Sequence, residues 1–266
     1  MSDRMRWIAV AAVACAVAAG YYVWRQGENE APQPAPAAPP AAPPVAPPKA
    51  EPEKAPQILF PVPQAEPASL PTLDMSDTLM RTTLDALFGR KNFEEFFYPR
   101  DIVRRIVATV DNLPREKVAQ RLMPVQRAAG LFLLAGEGEN RTISAENAAR
   151  YRPFVALAES VDAGKLVAAY FHAYPLFQQA YRELGYPAGY FNDRLVAVID
   201  HLLAAPAVEG PVALVQRKVL YEFADSALEE RSAGQKIMLR MGSANAARVK
   251  DKLRAIRREL VAAGPS

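Results

Sequence analysis

The chain has 266 residues, half of them hydrophobic, and 32 basic against 29 acidic side chains give a formal net charge of +3. Its one cysteine, Cys15, excludes a disulfide framework and any cysteine metal site. The sequence holds no GxxxxGK[ST] or GxGxxG phosphate loop, no HExxH or CxxC metal pattern and no GxSxG nucleophile turn.

The first predicted element is a membrane span. Trp7 to Trp24 is an unbroken run of 18 apolar or small residues, flanked by Arg4 and Arg6 before it and Arg25 after it. As a helix it is about 26 Å long, close to the roughly 30 Å hydrocarbon core of a bilayer, and a helix satisfies its own backbone polar groups there. Residues 1–6 carry the excess of positive charge. The positive-inside bias therefore puts them in the cytoplasm and the rest of the chain outside it. Trp7 at one edge and Tyr21, Tyr22 and Trp24 at the other suit the two aromatic belts. A cleaved signal peptide is the rival, with Ala16-Val17-Ala18 as the processing site, but the apolar run continues past that site. A lipoprotein processed at Cys15 fits poorly, because Ala12-Val13-Ala14 is a weak lipobox.

Residues 25–70 are predicted to be a disordered Pro/Ala-rich linker. The stretch Ala31–Pro71 holds 15 of the chain's 24 prolines. Missing N–H donors and a locked φ forbid helix and sheet there, and the run favours polyproline II, a semi-rigid spacer of about 3.1 Å per residue.

Residues 71–264 are the one segment able to build a core, and Ala, Leu and Val with periodic Gly or Pro punctuation predict a mostly α domain. The spacing predicts a helix from Asp74 or Ser76 to Phe88, closed by Gly89, then a short aromatic helix over 92–98 stopped by Pro99. A third helix runs over 101–113. A small β-hairpin follows, with Leu131–Ala135 and Arg141–Ile143 around a Gly-rich turn. Ser144 is expected to cap a helix reaching Ser160, Asp162 one reaching Leu184 with a kink at Pro175, and Asn192 one reaching Ala204. Residues 212–223 are extended or mixed, and two helices close the chain, the last from Ser243 to about Leu260.

The strings LPTLDMSD, IVATVDNLPRE, YPLFQQAYRELGYPAGYFNDRLVAVIDHLLA and YEFADSALEERSAGQKIMLRMGSANAARVKDKLR resemble a bacterial family known as the domain of unknown function numbered 3014. The resemblance covers residues from about 70 to the C-terminus. It implies an inner-membrane protein of Gram-negative bacteria with one N-terminal span, a Pro/Ala stretch and this domain. It brings no activity, cofactor or catalytic residue.

Eight of the 23 aromatics fall between Tyr170 and Phe191. Tyr170, Tyr174, Phe177 and Tyr181 share one helical face, best read as core. Tyr186 and Tyr190, in the loop Gly185-Tyr-Pro-Ala-Gly-Tyr190, flank Gly and Pro at a helix junction and are candidates for a surface binding pocket. From Arg231 onward the chain has nine basic and two acidic residues. In the last helix Val249, Leu253, Ile256 and Leu260 form an apolar stripe. Arg254, Arg257 and Arg258 are candidates for contact with anionic lipid, an acidic wall polymer or a protein partner. The plain alternative is a packed helix with a solvated basic face. Nucleic acid fits the charge but not the absence of interleaved aromatics or the inferred compartment. Asp193 and Asp200, seven residues apart on one predicted helix, and Glu183 are the carboxylates a wall-active hydrolase would use. His172 and His201 lack partners at metal-ligand spacing. The expectation is a periplasmic binding or scaffold module on a single-pass anchor, with no metal, cofactor or nucleic acid, oligomeric state open, and the hydrolase as the alternative.

Overall fold

The computed structural model of the protein describes residues 57–63, 70–217 and 220–262. The predicted cytoplasmic N-terminus (1–6), the span (7–24) and most of the Pro/Ala stretch lie outside the described residues. Among the described residues no helix is long and apolar enough to cross a membrane.

The domain is mostly helical, as its periodicity requires. Helix α1 (Asp77–Phe88) buries Met80 and Leu84, and ends at Gly89, whose φ of 85° suits a residue without a Cβ. Helix α2 (Arg90–Phe96) buries Phe93 and Phe96. Asp101 then adopts a left-handed conformation (φ 54°), and the Asp77 carboxylate accepts hydrogen bonds from the Asp101 and Ile102 amides at 2.9 and 3.0 Å. A side chain of α1 thus caps helix α3 (Ile102–Asn112) from outside it.

Helix α3 buries Ile102, Val103, Val107 and Asp111 and packs on helix α5 (Ala163–Glu183). The Asp162 side chain caps α5 by accepting from the Lys165 amide at 2.9 Å, and the helix continues through Pro175. Helix α4 (Asn147–Ser160) begins later than Ser144, which accepts instead from the Glu146 amide in the preceding turn. Helix α6 (Phe191–Leu203) follows the 185–190 loop, with Tyr190 rather than Asn192 at the cap position. Asn192 does not cap because its buried side chain is taken up by Tyr170 and by another segment, described below.

Strands β1 (Leu134–Ala135) and β2 (Thr142–Ile143) form the expected small antiparallel hairpin. Strands β3 (Leu214–Arg217) and β4 (Leu220–Phe223) form a second one, in register Leu214–Phe223 through Arg217–Leu220. The two hairpins are joined by an antiparallel bridge, Thr142 to Ala213, and by Arg141, which donates to Gln216 and Tyr221, and Leu134 and Ile143 pack in one cluster with Leu214 and Phe223. A short helix α7 (Ser226–Glu229) and helix α8 (Ala233–Arg240) lead to helix α9 (Ser243–Ala262).

Helix α9 lies against α4, α5, α6 and α8. Leu260 is 1% exposed and packs with Val167, Val196 and Ile199, while Val249 joins Met238 and Met241 in a separate cluster. The largest cluster gathers Leu73, Met80, Leu84, Phe93 and the α3 valines with Tyr174, Phe177 and Tyr181 of the aromatic face. That stripe is core, since burying aromatic area is the largest hydrophobic gain open to this helix.

Candidate functional site

The five candidate ligand residues fall into two groups on different elements. Tyr186 and Tyr190 belong to the turn between α5 and α6. Arg254, Arg257 and Arg258 belong to α9.

The turn is built around Gln178 of α5, which is 6% exposed. Its Oε1 accepts from the Tyr174 hydroxyl (2.8 Å) and the Phe191 amide (2.9 Å), and its Nε2 donates to the Gly189 carbonyl (2.8 Å). One side chain of α5 therefore ties down the α6 end of the turn, as a buried amide must to satisfy itself. The Tyr186 ring stacks on Tyr181 at 4.6 Å between centroids. Gly189 sits so close that a Cβ there would lie 2.8 Å from the Tyr181 ring.

The two turn tyrosines face different tasks. The Tyr186 hydroxyl donates to Asp111 Oδ2 (3.2 Å) and accepts from Arg115 Nη2 (2.8 Å). The Asp111 side chain is 3% exposed and pairs with Arg115 at 2.6 Å and Arg194 at 3.0 Å. Arg194 also donates to the Asp111 carbonyl at 2.8 Å. These contacts tie the end of α3, the turn and α6 together. Asp111, Arg115 and Arg194 were not among the sequence candidates, although Val103, Val107 and Asp111 are spaced four apart, which puts the carboxylate on the buried face of α3.

Tyr190 reads another part of the chain. Residues 57–63, inside the stretch predicted to be spacer, lie against the start of α6. The Tyr190 hydroxyl accepts from the Val62 amide at 2.8 Å. Asp193 takes the Leu59 and Phe60 amides on its two oxygens, at 3.0 and 2.8 Å, and Asn192 Nδ2 donates to the Phe60 carbonyl at 2.8 Å. Asn192 is itself fully buried and accepts from the Tyr170 hydroxyl at 3.2 Å. Burial pushes the Tyr170 hydroxyl well above the ordinary tyrosine value, so it stays a donor. The amides used are those of 59, 60 and 62. The one skipped is that of Pro61, which has no N–H to give.

The three candidate carboxylates are each held by a different partner. Asp193 binds the two amides just described. Glu183 pairs with Arg104 at 3.1 Å and accepts from Gln179. Asp200 is bidentate with Arg257, at 2.5 and 3.0 Å. Among the described residues no group of three His, Cys, Asp or Glu side chains is placed to hold a metal.

His201 Nε2 lies 2.7 Å from Ser232 Oγ. Ser232 is 8% exposed and caps α8 by accepting from the Gln235 amide at 3.2 Å. The Ser232 hydroxyl thereby joins the start of α8 to the His201 imidazole. Burial, reinforced by the charge of Arg194, holds His201 below the ordinary imidazole value. The unfolded chain then binds a proton that the folded chain resists. Stability is full above about pH 6.5 and falls as pH drops from there through the lower folded value. In chemical denaturation between pH 7 and 5, the His201→Gln chain should show a flatter fall than the wild type. Identical slopes would remove His201 as the cause.

The basic flanks of α9 are largely engaged rather than solvated, because the helix lies across four others and its sides meet neighbours. Arg248 pairs with Glu159 of α4, Lys252 donates to the Val161 carbonyl and Lys250 to the Ala205 carbonyl. Arg257 is tied to Asp200. Arg254 pairs with Asp251 at 2.7 Å and remains 53% exposed, and Arg258 is exposed. Arg254, Lys250 and Arg240 also line a cavity of about 480 Å³, together with Met238, Val208 and Ala148. A second hollow of about 230 Å³, almost wholly apolar, is lined by Met80, Leu84, Tyr170, Phe191, Leu195 and Leu260.

The arrangement offers side chains that grip backbone and a cavity lined by Arg240, Lys250, Arg254 and Asp251, while Ser232, the hydroxyl beside His201, is used to cap α8. No curated protein and no solved structure matches the chain. A family model does match, over residues 102–257, the span that holds the Asp111 network, the clamp at Tyr190–Asp193 and the start and body of α9; the chain belongs to the family described as protein of unknown function (DUF3014).

Proposed function

We propose that this chain is a single-pass protein of the bacterial inner membrane. Its helical domain is held in the periplasm on the Pro/Ala spacer and works as a binding or scaffold module against a partner protein or an acidic wall polymer. The layout of apolar run, proline-rich stretch and domain supports the anchor. The observation that carries the binding role is the exposed stretch of α9 on which Arg254, which lines the 480 Å³ cavity and pairs with Asp251, is followed one turn further along the same face by exposed Arg258. Two guanidinium groups at i and i+4 favour an anionic surface, by a long-range attraction that salt screens. Arg257 is left out of this contact because two of its nitrogens are taken by Asp200 and its side chain is only 35% exposed, whereas Arg254 meets Asp251 through one nitrogen and is 53% exposed.

The test uses the full-length chain in detergent and isolated cell-wall polymer. Sedimentation with the polymer should fall at least tenfold in the Arg254→Glu/Arg258→Glu chain and in high salt, with helical circular dichroism unchanged. Equal retention of variant and wild type would refute the role of this face. A reporter fused after residue 262 tests the compartment, and activity only in the cytoplasm would refute the anchor.

A further inference from the structure

The clamp at the start of α6 grips a peptide, and almost everything it grips is backbone. Asp193 takes two consecutive amides, Asn192 donates to the carbonyl between them and the next amide, and Tyr190 takes the amide two residues on. Such contacts are indifferent to side-chain identity, apart from tolerating a proline at the one position where no N–H is used. Side-chain selection falls to two places. Phe60 packs on the cluster of Val167, Val196, Ile199 and Leu260, and Val62 packs on the main core. Ile58 and Leu59, by contrast, stay 49% and 64% exposed. The resident segment therefore fills the clamp's hydrogen bonds while leaving its own apolar leading residues in water.

We infer that the start of α6 is a peptide-docking site whose external partner is a protein segment of the pattern aromatic–Pro–aliphatic, and that residues 57–63 are its built-in, displaceable occupant. Occupation in cis is favoured by the short sequence distance to residue 70, which gives the segment a high effective concentration. A partner peptide must outcompete it, so binding is gated by the chain's own linker. This inference concerns a surface separate from Arg254 and Arg258 and does not rest on the polymer-contact proposal.

The probe is a fluorescent peptide of sequence PQILFPVPQ, titrated by anisotropy against full-length protein in detergent. The Phe60→Asp chain, whose own segment has lost its anchor, should bind the probe at least tenfold more tightly than the wild type. Adding Asp193→Ala to that chain should cost at least tenfold, as should replacing Phe by Ala in the probe. Circular dichroism establishes that the variants retain their helices. If Phe60→Asp unfolds, Leu59→Pro serves in its place, since it removes one amide donor and leaves the core untouched. A folded variant with a vacated clamp and no affinity for the probe overturns the inference. So does a wild-type dimer that Phe60→Asp dissolves, because the occupant in trans would then be a second copy of this chain.

Discussion

The Asp111→Ala chain should unfold with about 3 kcal/mol less stability than the wild type, near the lower end of the 3–5 kcal/mol typical of breaking a buried ion pair. The carboxylate is 3% exposed and serves two guanidinium groups and the Tyr186 hydroxyl. Its loss leaves Arg194, whose side chain is 29% exposed, with its charge uncompensated and only the Asp111 carbonyl to bind. That carbonyl contact is why the upper end is not reached. Urea denaturation of the Asp111→Ala, Arg194→Ala and double variants gives the coupling directly, expected between about 0.5 and 3 kcal/mol for groups in one network. Additive single effects would show that the pair is incidental. The exposed Glu159–Arg248 pair supplies the contrast, since solvent and salt screen a surface ion pair and its loss should leave the urea midpoint nearly unchanged.

Phe191→Ala should cost about 3–5 kcal/mol, the range for truncating a buried aromatic, and lower the thermal midpoint by about 10 °C in a domain of this size. Phe191 is 1% exposed and packs its ring on Phe177 at 6.0 Å and Tyr181 at 5.4 Å between centroids. It also lines the 230 Å³ apolar hollow. Removing the ring enlarges a void that already exists, so the surrounding side chains have less to collapse onto. Phe191 begins α6, so the variant should also loosen the hold on residues 59–62, seen as faster proteolysis at that segment. A midpoint within about 2 °C of wild type would mean that the neighbours close the gap, and the packing account of this helix would fail.

What was legible in the sequence follows from how local each cause is. Helices α1, α3, α5 and α6 are marked by apolar periodicity and by punctuation that acts within a few residues, such as Gly89, Pro99 and Asp162. The small hairpin at 134–143 is marked by its Gly-rich turn. The capping of α3 by Asp77 is not legible, since the donor amides lie 24 and 25 residues away. Nor is the docking of residues 57–63, whose contacts reach across 128 to 134 positions and use backbone groups that every residue but proline carries. Asn192 looks like a helix cap because of where it stands, and only the arrival of Phe60 shows why it is not one. The candidate site divides in the same way. Tyr186 and Tyr190 are visible from their loop chemistry. The partners that give them work, Asp111 and the linker amides, come from elsewhere in the chain. Arg257 looks available until α6 brings Asp200 beside it.

The skipped amide at Pro61 fixes the phase of the segment against α6. A change of chain length ahead of residue 57 leaves that phase untouched. Adding one residue between Phe60 and Val62 shifts every later group by one place, so that Tyr190 no longer meets the amide it needs. Length is therefore rigidly counted within the seat.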